Sequence, residues 1–206
     1  YGKEFKDMIT DWRRAWGRDF QFLFVQLANF MGTKAEPGES EWAELRESQR
    51  KALELPNTGM AVAVDIGNPK DIHPKNKKDV GERLARWALA KTYGKRVVAS
   101  GPLYEKYQVS AGGLRVEFQS AETGLKARDG GAIKGFAGAG EDKRFRWAKA
   151  EIQGGTVVLS NPDVSSPVAA RYGWDDSPDC NLVNGEGLPA SPFRTDSWPG
   201  LTAGRR

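Results

Sequence analysis

Met60-Ala-Val-Ala-Val-Asp65-Ile-Gly-Asn-Pro-Lys-Asp71-Ile-His73-Pro74 opens as an apolar run and ends in a polar loop. The run, over residues 60–66, lacks the alternation of a half-exposed strand and predicts one buried on both faces. Gly67, Asn68 and Pro69 then punctuate the chain. The loop beyond them carries the only histidine in 206 residues, with Asp71 two positions before it and Asp65 back at the strand end. Open α/β sheets build their ligand crevices outside the carboxyl ends of their strands, so proton chemistry is expected on this loop. A lone loop histidine is otherwise an ordinary surface residue, and the strand end is what sets this one apart.

The segments on either side supply the other layers. Upstream, Phe20-Gln-Phe-Leu-Phe-Val-Gln-Leu-Ala-Asn29 is a second near-continuous apolar run and predicts an interior parallel strand, with Gln26 and Asn29 at its carboxyl end. Before it, Phe5, Met8, Ile9, Trp12 and Trp16 recur at helical spacing, a stripe of about four turns that should lie against a sheet and close at Gly17. Between the two strands, Ser40 is a candidate cap for a helix carrying Trp42, Leu45, Ala52 and Leu53 inward, ended by Pro56-Asn57-Thr58-Gly59. After the histidine, residues 76–93 predict a third helix that packs Val80, Leu84, Trp87 and Ala88 and stops at Gly94. Strands alternating with helices imply right-handed crossovers and a parallel sheet.

After Lys95 the pattern changes. Short β-rich segments at residues 107–110, 114–118, 145–152, 156–160 and 168–172 are separated by Ala111-Gly-Gly113, Asp129-Gly-Gly131 and Gly154-Gly155. Such spacing predicts an antiparallel, sandwich-like module. The last stretch, from Trp174 to Asp196, is irregular but keeps Trp174, Leu182, Leu188 and Phe193 apolar, so it should pack back onto the body. The expected division is 1–95 and 96–206.

Composition excludes several classes. With 39% hydrophobic and 28% charged residues and a mean hydropathy of −0.60, the chain reads as globular, and no apolar run approaches the roughly 18 residues of a membrane span. The N-terminus lacks the plan of a signal peptide. The net charge of +4 arises from 31 basic and 27 acidic residues, mostly interspersed, with Lys75, Lys77 and Lys78 the one cluster. No nucleic-acid motif accompanies it, so no nucleic-acid partner is expected. Cys180 is the sole cysteine, which excludes an internal disulfide. One histidine and one cysteine leave too few typical ligands for a metal hydrolase, and no metal or cofactor is expected.

Several strings carry a resemblance. Phe-Lys-Asp-Met-Ile-Thr-Asp-Trp-Arg13, Val25-Gln-Leu-Ala-Asn-Phe30, Trp42-Ala-Glu-Leu-Arg-Glu-Ser-Gln49, residues 56–67, and Asp71-Ile-His-Pro-Lys-Asn-Lys77 resemble, in order, the C-terminal half of sialate O-acetylesterases. So do Pro167-Val-Ala-Ala-Arg-Tyr-Gly-Trp174 and residues 181–196. The resemblance implies an SGNH-type serine esterase with a flavodoxin-like α/β catalytic domain, of which residues 1–95 would be half and 96–206 an accessory β-rich module. It implies hydrolysis of O-acetyl esters of carbohydrates, foremost 9-O-acetyl sialic acid, with acetylated plant polysaccharide as the alternative substrate. It also implies a periplasmic, secreted or lysosomal setting.

In this resemblance His73 matches the histidine that takes the serine's proton. The family's Gly-Gln-Ser or Gly-Asp-Ser nucleophile motif and its Gly-Glu-Ser-Asn oxyanion motif have no counterpart here. The expectation is therefore that an N-terminal part of the same enzyme supplies serine and oxyanion donors, and that this chain alone is inactive. The superfamily's supporting Asp would fall three residues before the histidine, where Lys70 stands. Asp71 and Asp65 are the substitutes, and an i, i+2 pair on an extended segment points to opposite sides, which keeps both open. Gln26, Asn29, Arg46 and Gln49 are candidates to bind sugar hydroxyls, with Arg46 a natural partner for a sialate carboxylate. Trp174 and Asn181 are candidates to close the pocket, and the other tryptophans are expected in the core. The rival reading is a non-catalytic carbohydrate-binding or scaffold module.

Overall fold

The structure is a computed structural model and describes residues 1–110 and 113–205. It is a mixed α/β fold. Its elements run α1 (Gly2–Ala15), β1 (Phe22–Val25), α2 (Glu41–Lys51), a short 3-10 turn, β2 (Thr58–Ala61) and α3 (Lys77–Lys91). Then come β3 (Leu103–Ser110), β4 (Gly113–Gln119), β5 (Leu125–Ala127), β6 (Phe136–Ala139), β7 (Arg146–Trp147), β8 (Lys149–Gln153), β9 (Thr156–Ser160), β10 (Ala169–Tyr172), β11 (Leu182–Asn184) and β12 (Phe193–Arg194).

The first part holds a parallel pair. β1 and β2 align Phe22 with Thr58 and Val25 with Ala61. The run from Met60 to Val64 is buried throughout, as its composition predicts, although the ladder itself ends at Ala61. β1 departs from expectation: it is four residues long and Val25 is 37% exposed. The backbone explains the early stop. The Leu27 N–H donates to Gln49 Oε1, and the Leu27 and Ala28 carbonyls accept from Arg46 and Trp42, so α2 takes the groups that a longer ladder would need. β2 is the only strand paired with β1 among the described residues.

The helices largely follow their signals. Ser40 Oγ accepts from the Ala43 N–H at 3.0 Å and caps α2, and Asn76 Oδ1 accepts from the Asp79 N–H and caps α3. Gly17 ends α1 at φ +64°. Trp87 of α3 lies on β2, its indole N–H donating to the Met60 carbonyl at 2.9 Å. The stripe on α1 is covered only in part. Phe5 meets Phe22 and Phe24 of β1 with ring centroids 6.2 and 5.0 Å apart, while Trp12 and Trp16 stay 52% and 69% exposed rather than in the core.

The second part is antiparallel, as its turn spacing predicts. One four-stranded sheet has the order β3-β4-β9-β8, another β12-β10-β6-β7, and β5 pairs with β11. Their inner faces share a core around Leu114, Val116, Phe136, Tyr172, Leu182 and Phe193. The expected strand at 145–152 is split at Ala148: β7 pairs with β6 and β8 with β9, so the chain changes sheets there. β5, β6, β11 and β12 carry no strong signal, being two to four residues long. The Gly154-Gly155 hairpin forms, with Gln153 opposite Thr156. Of the expected turn at 111–113, Ala111 and Gly112 lie outside the described residues.

The final stretch packs back, with Trp174, Leu182, Leu188 and Phe193 all buried. It meets α2 through buried polar groups, the Arg46 guanidinium donating to the Asp175 and Asp176 carbonyls. Cys180 is a free thiol beside Tyr172, and burial pushes it up to about 11. Among the described residues no helix is long and apolar enough to cross a membrane, and no group of three ligating side chains could hold a metal ion.

Candidate active-site loop

The loop after the buried run is built by its own short side chains. The Asn68 carbonyl accepts from the Asp71 N–H at 3.1 Å, and Asn68 Oδ1 accepts from the Lys70 N–H at 2.9 Å. Asp71 Oδ1 then accepts from the His73 N–H at 2.9 Å. This is an Asx turn, in which a carboxylate mimics a backbone acceptor. Its consequence is geometric. The segment is not extended, so the side chains of Asp71 and His73 lie on one side, and His73 Nδ1 stands 3.4 Å from Asp71 Oδ1. That separation is longer than a well-made N–H···O bond. The His73 backbone N–H foremost, and its side chain after it, hold the Asp71 carboxyl below the usual range. The His73 side chain is 87% exposed, and beside it Ile72 is 47% exposed.

Asp65 is committed elsewhere. Arg83 of α3 grips it bidentately at 2.6 and 2.7 Å, and Arg128 approaches at 3.0 Å. With 4% of its side chain exposed, it joins strand end, helix and β-rich part in one ion cluster. No ion pair links it to His73 among the described residues. Neither arginine is identifiable in the sequence as its partner, since 18 and 63 residues separate them from it.

Asn29 clamps the loop to the rest of the edge. Its Oδ1 accepts from the Gly67 N–H at 2.7 Å and its Nδ2 donates to Ser177 Oγ at 3.1 Å. Gly67 has no room for a side chain, because a Cβ there would sit 2.2 Å from the Asn29 carbonyl oxygen. The Met31 N–H donates to the Pro69 carbonyl at 3.0 Å and so ties the loop after β1 to the histidine loop.

The remaining expected binding residues face inward. Arg46 is fully buried, and its guanidinium donates to the carbonyls of Leu27, Ala28, Asp175 and Asp176 at 2.6–2.9 Å. Burial lowers it to about 10, and no face is left open for a sugar carboxylate. Gln26 donates to Ser191 Oγ and the Arg46 carbonyl, and Gln49 supports Leu27. Trp174 stacks under Arg171 and Arg194. Asn181 bonds Asp129, the Ala132 carbonyl and the Lys134 N–H. These five are corrections to the surface roles the sequence suggests: each carries hydrogen-bonding or aromatic groups that the fold uses internally, and burial is invisible in residue type. Asn29, partly buried, holds the loop.

No family model matches the chain. It is 29% identical to a sialate O-acetylesterase of Mus musculus over 218 residues, which are 92% of this chain and 40% of that protein. It is also 29% identical to one of Homo sapiens, over 97% of this chain and 44% of that protein. Among solved structures, a carbohydrate acetylesterase from Xanthomonas citri superposes with a TM-score of 0.90 at 48% identity, covering 96% of this chain and 46% of that one. The chain thus spans less than half the length of each of these relatives. Along nearly all of its residues, in sequence and in backbone, the chain is similar to sialate O-acetylesterases and to a carbohydrate acetylesterase.

Proposed function

We propose that this chain is the C-terminal part of a serine esterase that removes O-acetyl groups from carbohydrates, and that His73 is its general base. The observation that carries the reading is the loop itself: an imidazole beyond a buried strand end, with a carboxylate at Nδ1 and its other edge open. In this reading residues 1–95 are half of a flavodoxin-like SGNH domain. The unpaired edge of β1 and the exposed Val25 and Trp12 beside it support a further strand there. Residues 96–206 form an accessory β-rich module.

The chemistry needs a serine and oxyanion donors from another segment of the same enzyme. A serine hydroxyl is a weak nucleophile until a base takes its proton. His73 Nε2 accepts that proton as the oxygen attacks the acetyl carbonyl, and Asp71 at Nδ1 favours the tautomer with Nε2 free and stabilises the imidazolium. The imidazolium then gives the proton to the departing sugar oxygen, leaving an acetyl-enzyme. Water, deprotonated by the same nitrogen, releases acetate. The relatives' names make an O-acetylated sialic acid the first substrate to try, within the wider class of O-acetylated carbohydrates; an acetylated plant polysaccharide is the alternative. A periplasmic, secreted or lysosomal setting belongs to the same proposal.

The test compares this chain alone, the chain joined to its upstream segment, and the joined form with His73→Ala, on p-nitrophenyl acetate and 9-O-acetylated sialic acid. The joined form should turn over both, the chain alone neither, and the variant should lose at least about 10³-fold in kcat. Full activity of the variant would sink the proposal.

A further inference from the structure

A cleft of about 360 Å³ lies between the loop at 33–35 and the β6–β7 edge of the second sheet, within the size range of about 300–1,000 Å³ typical of small-molecule sites. The esterase reading makes no use of it. We infer that this cleft is a binding subsite for an uncharged sugar unit, with Trp147 as its platform.

The platform is rigid. Trp147 belongs to β7, opposite Ala137, and its carbonyl accepts from Asn161 Nδ2 at 2.6 Å. Its indole N–H donates to the Ala35 carbonyl at 2.8 Å, which fixes the ring's orientation. With its own polar atom satisfied, the residue is still 45% exposed. A fixed aromatic face open to solvent is what the apolar C–H face of a sugar ring packs against, because the ring's negative face meets weakly positive hydrogens.

The opposite wall is pinned as well. Thr33 Oγ1 donates to the Ser177 carbonyl at 2.6 Å, and the Lys34 N–H donates to Asp175 Oδ2 at 2.9 Å. Lys134 and Asp179 are 49% and 69% exposed at the rim, where they can exchange hydrogen bonds with sugar hydroxyls.

Charge selects the ligand. Lys134 Nζ stands 3.4 Å from Asp179, and Lys34 Nζ stands 3.8 and 3.5 Å from Asp175 and Asp176. Each ammonium already faces a carboxylate, so a sugar carboxylate would have to displace one. A neutral pyranose needs no such exchange. The cleft also connects to the histidine loop: Met31, bonded to Pro69, lies two residues before Thr33. Its assignment to the ester substrate rests on the esterase reading, whereas sugar binding as such does not.

The experiment titrates this chain with cellotetraose, xylotetraose and N-acetylneuraminic acid, read by calorimetry and tryptophan emission. At least one neutral tetrasaccharide should bind saturably and more tightly than N-acetylneuraminic acid. Trp147→Ala should weaken it at least 10-fold, Trp147→Phe at most about threefold, and His73→Ala not at all. If Trp147→Ala fails to fold by circular dichroism, the double variant of exposed residues Lys134→Ala and Asp179→Ala replaces it, with at least a threefold loss expected. No saturable binding of either neutral probe, unchanged binding in the cleft variants, or preference for N-acetylneuraminic acid overturns the inference. Trp147-dependent binding in a protein whose joined form lacks esterase activity upholds the cleft and rejects the esterase reading alone.

Discussion

Two aspartates frame the histidine loop, and their surroundings give them opposite work. Asp71 is 43% exposed, bonds the backbone of its own turn, and faces Nδ1 of His73. Asp65 is buried between two guanidinium groups. Substituting each by Asn should therefore separate activity from stability. Under the proposed esterase reading, Asp71→Asn in the joined protein should lower kcat by less than the roughly 10⁴-fold seen for a buried triad carboxylate, because the 3.4 Å contact is long and both side chains are exposed. Its urea midpoint should hardly move. Asp65→Asn leaves Arg83 with a neutral partner in a buried site, at a cost of up to about 3–5 kcal/mol, read as a fall in urea midpoint, with kcat retained in the folded fraction. Residue types alone left this choice open, since it depends on a turn at Asn68 and on arginines distant in the chain.

At the scale of elements, the β2 to α3 contact sets where the loop begins. Gly59 lets the Trp87 ring lie flat on the strand: a Cβ would stand 2.6 Å from the ring carbons and 2.8 Å from the Leu23 methyl. Gly59→Ala should therefore push α3 away from the sheet and cost about 1–3 kcal/mol by overpacking, measured by thermal or urea unfolding. The apolar runs and capping residues made these elements legible, since a buried parallel strand and a capped helix each have a local signature. The lengths were less legible. β1 stops at Val25 because side chains of α2 occupy the next backbone groups, a competition between segments about 20 residues apart. β5, β6, β11 and β12 escaped notice because two to four residues carry too little periodicity to distinguish from a loop.

At the scale of the whole molecule, Arg46 joins the end of β1 to the segment at 175–176 by hydrogen-bonding four carbonyls, with Gln26 reaching Ser191 alongside. Arg46→Ala should strand those carbonyls in a dry interior and cost about 3–5 kcal/mol. Urea unfolding measures this, and added N-acetylneuraminic acid should not restore it, because the side chain has no open face. The sequence by itself determined the three helices and the two strands between them, the change from a parallel pair to antiparallel sheets, the histidine loop and the family resemblance, because each is written in local periodicity, turn residues or ordered strings. Only the tertiary structure decided which aspartate meets His73, that five suspected sugar contacts are internal supports, and that Trp147 stands open over a cleft. Burial and partnership are properties of packing between distant segments, and an arginine or tryptophan carries the same letter whether it braces the interior or faces a ligand.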